Sequence, residues 1–109
     1  DFSALKTYVR EVCDFLDHHF LLQERSPLLD IARDSDAWAV TFRGRSYRFP
    51  EADVRALPIE NTTAELLAEY IAEQVAERLE ANGHTNITRL AIEVEEMPGQ
   101  AGGYARDLA

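Results

Sequence analysis

The stretch from Thr62 to Gly83 constrains the fold more than any other, because two small-spaced apolar lines run side by side along it. Leu67, Ile71, Val75 and Leu79 recur every fourth residue, and Ala64, Ala68, Ala72 and Ala76 form a second line beside them, as one helix face requires. The alanines let such a helix lie close to a sheet. Thr62 followed by Glu65 reads as a capping box worth about 1 kcal/mol, and Asn82-Gly83 as the stop, with Gly83 suited to the left-handed position beyond the cap. Glu69, Glu73 and Glu77 fall on the outer side and read as a wet face, not a metal site. His84, in the turn that follows, is expected to be exposed.

Beyond this helix the period drops to about two residues, the mark of a strand over Ile87 to Glu96. Leu90, Ile92 and Val94 face one side, Arg89, Ala91, Glu93 and Glu95 the other, and strict alternation puts Glu96 on the apolar side. A carboxylate placed there needs a hydrogen-bonding partner, since an unpaired buried charge costs several kcal/mol. Two parallel N–H donors would satisfy it. The pattern equally allows the strand to end at Glu95, with Glu96 entering the loop before Pro98. The run Gly99-Gln100-Ala101-Gly102-Gly103 reads as flexible, with a short final strand opening at Tyr104.

The chain opens on Asp1, at the start of a first helix from Ser3 to Leu16, with Asp1 or Ser3 as its N-cap and Phe2, Leu5, Val9, Val12 and Leu16 as its apolar face. Cys13 sits inside that helix and reads as small core filler. At the helix end stand Asp17, His18 and His19. An Asp beside a His can form a proton relay, because the carboxylate fixes the imidazole tautomer and raises its basicity. Acids and histidines also gather at helix ends simply because those ends are wet, and both readings stand on these residues alone. Asp14 and His18 would share a face if the helix continued that far, but no third metal ligand accompanies them, and His19 reads as a bystander.

Between the helices, Gln23 to Asp36 reads as a loop with one partly buried turn around Leu28, Leu29 and Ile31. Trp38, Val40 and Phe42 then alternate, and after Arg43-Gly44-Arg45-Ser46 the pattern resumes at Tyr47 and Phe49, which predicts a β-hairpin over about 37–50. Its aromatic side reads as packing. Arg43, Arg45 and Arg48 could meet a triphosphate or only water. Pro50 and Pro58 bracket a short link.

At 109 residues and 46% hydrophobic content the chain reads as one domain, residues 1–109, of the α+β class. No run is long and apolar enough to cross a membrane, so a cytoplasmic protein without membrane contact is expected. A net charge of −9 would repel a phosphate backbone, and nucleic acid is not expected as a partner. The single cysteine excludes an intrachain disulfide.

Four ordered blocks, Asp1-Phe2-Ser3-Ala4-Leu5-Lys6, Leu16-Asp17-His18-His19-Phe20-Leu21, Asn61-Thr62-Thr63-Ala64-Glu65 and Glu96-Met97-Pro98, resemble the 6-pyruvoyl-tetrahydropterin and 6-carboxytetrahydropterin synthase family. Leu22, where the family usually has Asn, and Met97, where it has Thr, depart from the pattern. The resemblance implies the tunnelling fold, with two helices on an antiparallel sheet and the 37–50 hairpin as an insertion. It implies homo-oligomers, usually hexamers of two trimers, with active sites between subunits. The implied reaction converts 7,8-dihydroneopterin triphosphate to 6-carboxytetrahydropterin or 6-pyruvoyl-tetrahydropterin, the former on a route to deazapurine nucleosides of tRNA. Asp17 and His18 match the family's relay pair, Glu96 its pterin anchor, and Thr63 and Glu65 positions lining the pterin pocket. Zinc and a catalytic cysteine are implied too, but the family carries them on two strands preceding the first helix, and this chain contains neither those histidines nor that cysteine. The competing expectation is a catalytically incomplete pterin- or purine-binding module, or a structural subunit of the same fold.

Overall fold

Both helical periods are realised, as α1 (Ser3–Leu16) and α2 (Ala64–Ala81), in a computed structural model that describes residues 2–108. The α+β class holds. Two compact units form: a helical unit of the residues up to Asp17 together with those from Thr63 onward, and a strand unit of residues 18–62.

In the helical unit, α2 buries Ala64, Ala68, Ile71, Ala72, Val75 and Leu79. Ile71, Ala72, Val75 and Leu79 form the core with Val12 and Leu90, and Leu5, Tyr8, Val9 and Leu16 of α1 pack against it. Side chains four apart on one α2 face thus meet both α1 and the sheet. The N-cap of α2 is one residue later than the capping box predicts: Leu66 N–H donates to Thr63 Oγ1 at 3.3 Å. Glu65 therefore lies in the first turn but cannot close a box with Thr62. At the other end Gly83 has φ of +71°, its N–H donates to Glu80 O, and His84 N–H donates to Leu79 O, the paired bonds of a Schellman motif. α1 is less well capped. Phe2 occupies its N-cap with no side-chain bond and is 68% exposed, Ser3 is the first helical residue, and Asp1 lies outside the described residues.

The sheet of this unit pairs β6 (Arg89–Met97) with β7 (Gln100–Asp107), antiparallel. The Gly-rich run is therefore not a flexible tail. Its residues from Gln100 onward join an eight-residue strand, because Pro98-Gly99 closes a two-residue turn with Gly99 at φ of +83°, a conformation glycine adopts without strain.

The strand unit holds β1 (Phe20–Gln23) parallel to β5 (Val54–Leu57), and a meander of β2 (Asp30–Asp34), β3 (Ala37–Phe42) and β4 (Arg45–Pro50), with a single 3₁₀ turn at Glu51–Asp53. The predicted hairpin is β3 and β4; Arg43 and Gly44 at its tip both have positive φ, the requirement of a two-residue type I′ turn. Two expectations are corrected. Residues 23–36 contain the strand β2 rather than only a loop, and the link between Pro50 and Pro58 contains β5. Leu22, Val40 and Val54 form the core of this unit, with Leu29, Ile31, Trp38 and Phe49 packed against it.

Candidate functional site

Glu96 stands at an irregularity of the β6–β7 ladder. Glu95 pairs with Ala101 and Met97 with Gln100, so Glu96 is the extra residue of a bulge, a device that re-aims a side chain. The strand runs on to Met97 and does not end at Glu95. The carboxylate reaches the start of α2: Ala64 N–H, at the first position of that helix, donates to Glu96 Oε1 at 3.1 Å. That amide has no acceptor within its own helix, and the positive end of the helix dipole favours a carboxylate there.

Thr63, the N-cap, and Glu65, in the first turn, flank the Ala64 amide that Glu96 accepts from. A Cβ on Gly102 would lie 2.8 Å from Ala64 Cβ and 2.8 Å from Glu65 Cδ and Oε1, so the missing side chain of Gly102 is the space that the first turn of α2 occupies. Thr63 Oγ1 is engaged as the cap. The helical unit thus brings Thr63, Glu65 and Glu96 together. Neither the Ala64 amide nor Gly102 was singled out from the sequence; a glycine inside a strand pattern signals close backbone approach, and Gly102 would have been found that way.

Asp17 caps α1, its N–H donating to Cys13 O at 2.8 Å, with an extended backbone. His18, the next residue, has φ of +58°, a left-handed conformation uncommon outside glycine. Since α1 stops at Leu16, Asp14 and His18 do not share a helix face. Cys13 is not core filler but exposed. Partial burial of its sulfur, then the charges of Asp14 and Asp17, push its thiol above the ordinary range, which disfavours the nucleophilic thiolate. His84 is half-buried rather than exposed: it shares a 3.0 Å hydrogen bond with the Tyr8 hydroxyl and meets that ring edge-on.

Of the hairpin arginines, Arg48 is ion-paired with Asp34 and Arg43 lies over the Phe42 ring at 5.0 Å. Among the described residues no three His, Cys, Asp or Glu side chains converge in a way that could hold a metal ion. The described residues therefore do not offer the donor set of the zinc site that the resemblance implies.

Residues 1–107 match the sequence profile of 6-pyruvoyl tetrahydropterin synthase. A Methanocaldococcus jannaschii protein that carries the provisional name 6-carboxy-5,6,7,8-tetrahydropterin synthase is 34% identical over 108 residues, covering 99% of this chain and 66% of that protein. The chain thus spans slightly less than two thirds of that relative's length. Crystallised 6-pyruvoyl tetrahydropterin synthase of Plasmodium vivax superposes with a TM-score of 0.90 at 33% identity, over 98% of this chain and 68% of that one. The Plasmodium falciparum protein of the same name gives 0.89 at 32% identity, with the same coverage.

Proposed function

Because the chain belongs to the 6-pyruvoyl tetrahydropterin synthase family, we propose that it is the pterin-binding part of a pterin-forming lyase acting on 7,8-dihydroneopterin triphosphate. The product is 6-carboxytetrahydropterin, formed with loss of acetaldehyde and triphosphate, and it feeds the synthesis of deazapurine nucleosides of tRNA. The name of the M. jannaschii relative supports this choice over the pyruvoyl product.

One observation carries the reading: Glu96, re-aimed by a bulge, presents its carboxylate at the start of α2 beside Thr63 and Glu65. A carboxylate has about four lone-pair positions and Ala64 takes one, so two parallel N–H donors of a pterin amide edge can still be accepted. Glu96 orients the ligand, and Thr63 and Glu65 border it. Asp17 and His18, adjacent in the chain, move the proton: the carboxylate sets the imidazole tautomer and the imidazole exchanges the proton with the substrate side chain. The zinc that the resemblance implies would polarise the side-chain hydroxyls, and its ligands are not residues of this chain. The two-stranded β6–β7 sheet has an unpaired edge on each strand among the described residues, which supports assembly of several copies through their sheets.

Incubating the full-length protein with 7,8-dihydroneopterin triphosphate and resolving the products by mass spectrometry tests the assignment. 6-Carboxytetrahydropterin with acetaldehyde is expected; pyruvoyl product alone would reassign the reaction, and unconverted substrate under zinc-replete conditions would reject it. Asp17→Asn should lower kcat far more than it raises KM, as loss of a group acting on the transition state does.

A further inference from the structure

Glu96 sits where a strand is irregular and a helix begins, and both features act on one carboxylate. A bulged residue lacks the paired neighbours that fix an ordinary strand position, and a Glu side chain has three rotatable bonds to settle. Something else has to hold it. The Ala64 N–H is suited to that task, since the helix makes no use of it, and Ala64 is only 4% exposed, so water competes poorly for the bond. Gly102 completes the arrangement, because any side chain there would meet the Ala64 methyl and press the first turn of α2 away from β7.

We propose that the backbone N–H of Ala64 is a positioning group for ligand recognition, fixing the Glu96 carboxylate so that its remaining lone pairs meet two adjacent N–H donors of a planar heterocycle. The inference rests on Glu96 being the ligand-binding carboxylate, and it assigns to a main-chain atom a role that no side-chain comparison would reveal. Ala64 itself touches no ligand; it acts through Glu96.

Proline at this position deletes the one donor, and its Cδ, in the place of the amide hydrogen, also displaces Glu96 Oε1 from that spot. Proline is favoured at the first helical position, where its missing N–H costs the helix nothing, and the residue before it must be extended. Thr63 already is, with φ of −68° and ψ of 156°. In the assembled full-length protein, Ala64→Pro should weaken neopterin binding by about 5-fold or more in titration calorimetry, the loss of one hydrogen bond to a charged group. Ala64→Gly keeps the donor and should stay within about 2-fold of wild type. A folded Ala64→Pro protein with wild-type affinity overturns the proposal.

A second measurement holds even if the proline variant does not fold. With isotope-labelled alanine, the Ala64 amide proton should shift as acid protonates Glu96, and that shift should vanish in Glu96→Gln. An Ala64 amide indifferent to both overturns the positioning role. Should Glu96→Gln bind neopterin as tightly as wild type, the anchor reading fails by itself, and the amide measurement alone then decides whether Ala64 holds Glu96.

Discussion

The two units of this chain are held together by different means. The helical unit rests on burial: Leu79, Val75 and Ala72 of α2 are almost inaccessible, and alanines bring the helix close to its neighbours. The strand unit has a smaller core and gathers its short strands with tight turns, stacked rings and exposed ion pairs. Phe20 stacks on Phe49 at 4.5 Å, Arg33 lies over Trp38 at 4.7 Å, and Arg33 pairs with Glu51 at 2.9 Å. Charge divides the same way. The helical unit carries thirteen acidic and five basic residues, the strand unit seven and six. Salt screens exposed pairs but does not weaken apolar burial in that way, so the units should answer different perturbations.

The largest effect should come from the helical core. Leu79→Ala, at a side chain 2% exposed, should lower the unfolding free energy by about 2–5 kcal/mol in urea titrations. A loss below about 1 kcal/mol would erase the contrast in its simplest form. Glu96→Gln comes next: it should leave that stability nearly intact yet weaken neopterin affinity by at least about 10-fold, or about 1.4 kcal/mol. Glu95→Gln and the hairpin variant Arg43→Gln should bind as wild type; a comparable loss in Arg43→Gln would move recognition into the strand unit.

Smaller responses are expected from the hairpin itself. At Gly44, φ is +77° and a Cβ would meet open space, so Gly44→Ala should cost only the backbone strain, about 1 kcal/mol. Arg48→Ala removes an ion pair whose side chains are 55% and 61% exposed; about 0.5 kcal/mol is expected, vanishing in 1 M salt. A salt-independent loss of several times that size would show that the pair is a structural anchor. The least effect belongs to Cys13, whose thiol is held protonated by partial burial and by Asp14 and Asp17. The raised folded-state value favours the native state until pH climbs past the thiol's unfolded value, after which that contribution falls away. Asp17→Asn should therefore speed alkylation of Cys13 at mildly alkaline pH, and an unchanged rate would dismiss the electrostatic part.

How far the fold was legible in the sequence follows the same division. α1 and α2 show long periodic faces, so their existence and extent could be read directly, and the alternation of Leu90, Ile92 and Val94 announced β6. β2 could not be read that way, since Ile31 is its only large apolar residue and charged Asp30, Arg33 and Asp34 surround it. β5 has four residues between prolines and is defined by its partner β1, a pairing that no local pattern encodes. β7 was hidden by its glycines, of which Gly102 is a packing requirement rather than a sign of flexibility. For the site, strand phase left two places open for Glu96, the apolar face or the loop before Pro98, and only the family resemblance made it readable. Its partner was not, because a backbone amide has no letter in the sequence.

The bulge at Glu96 also sets folding against the proposed recognition role at a single codon. Removing that one residue would leave Glu95 opposite Ala101 and Met97 opposite Gln100 with nothing between them, a regular ladder closed by the same Pro98-Gly99 turn. Such a deletion would mend the sheet and erase the carboxylate in one genetic event. Selection for robustness alone would run toward it, so a library of stabilised descendants should be screened for binding at every round if the site is to survive.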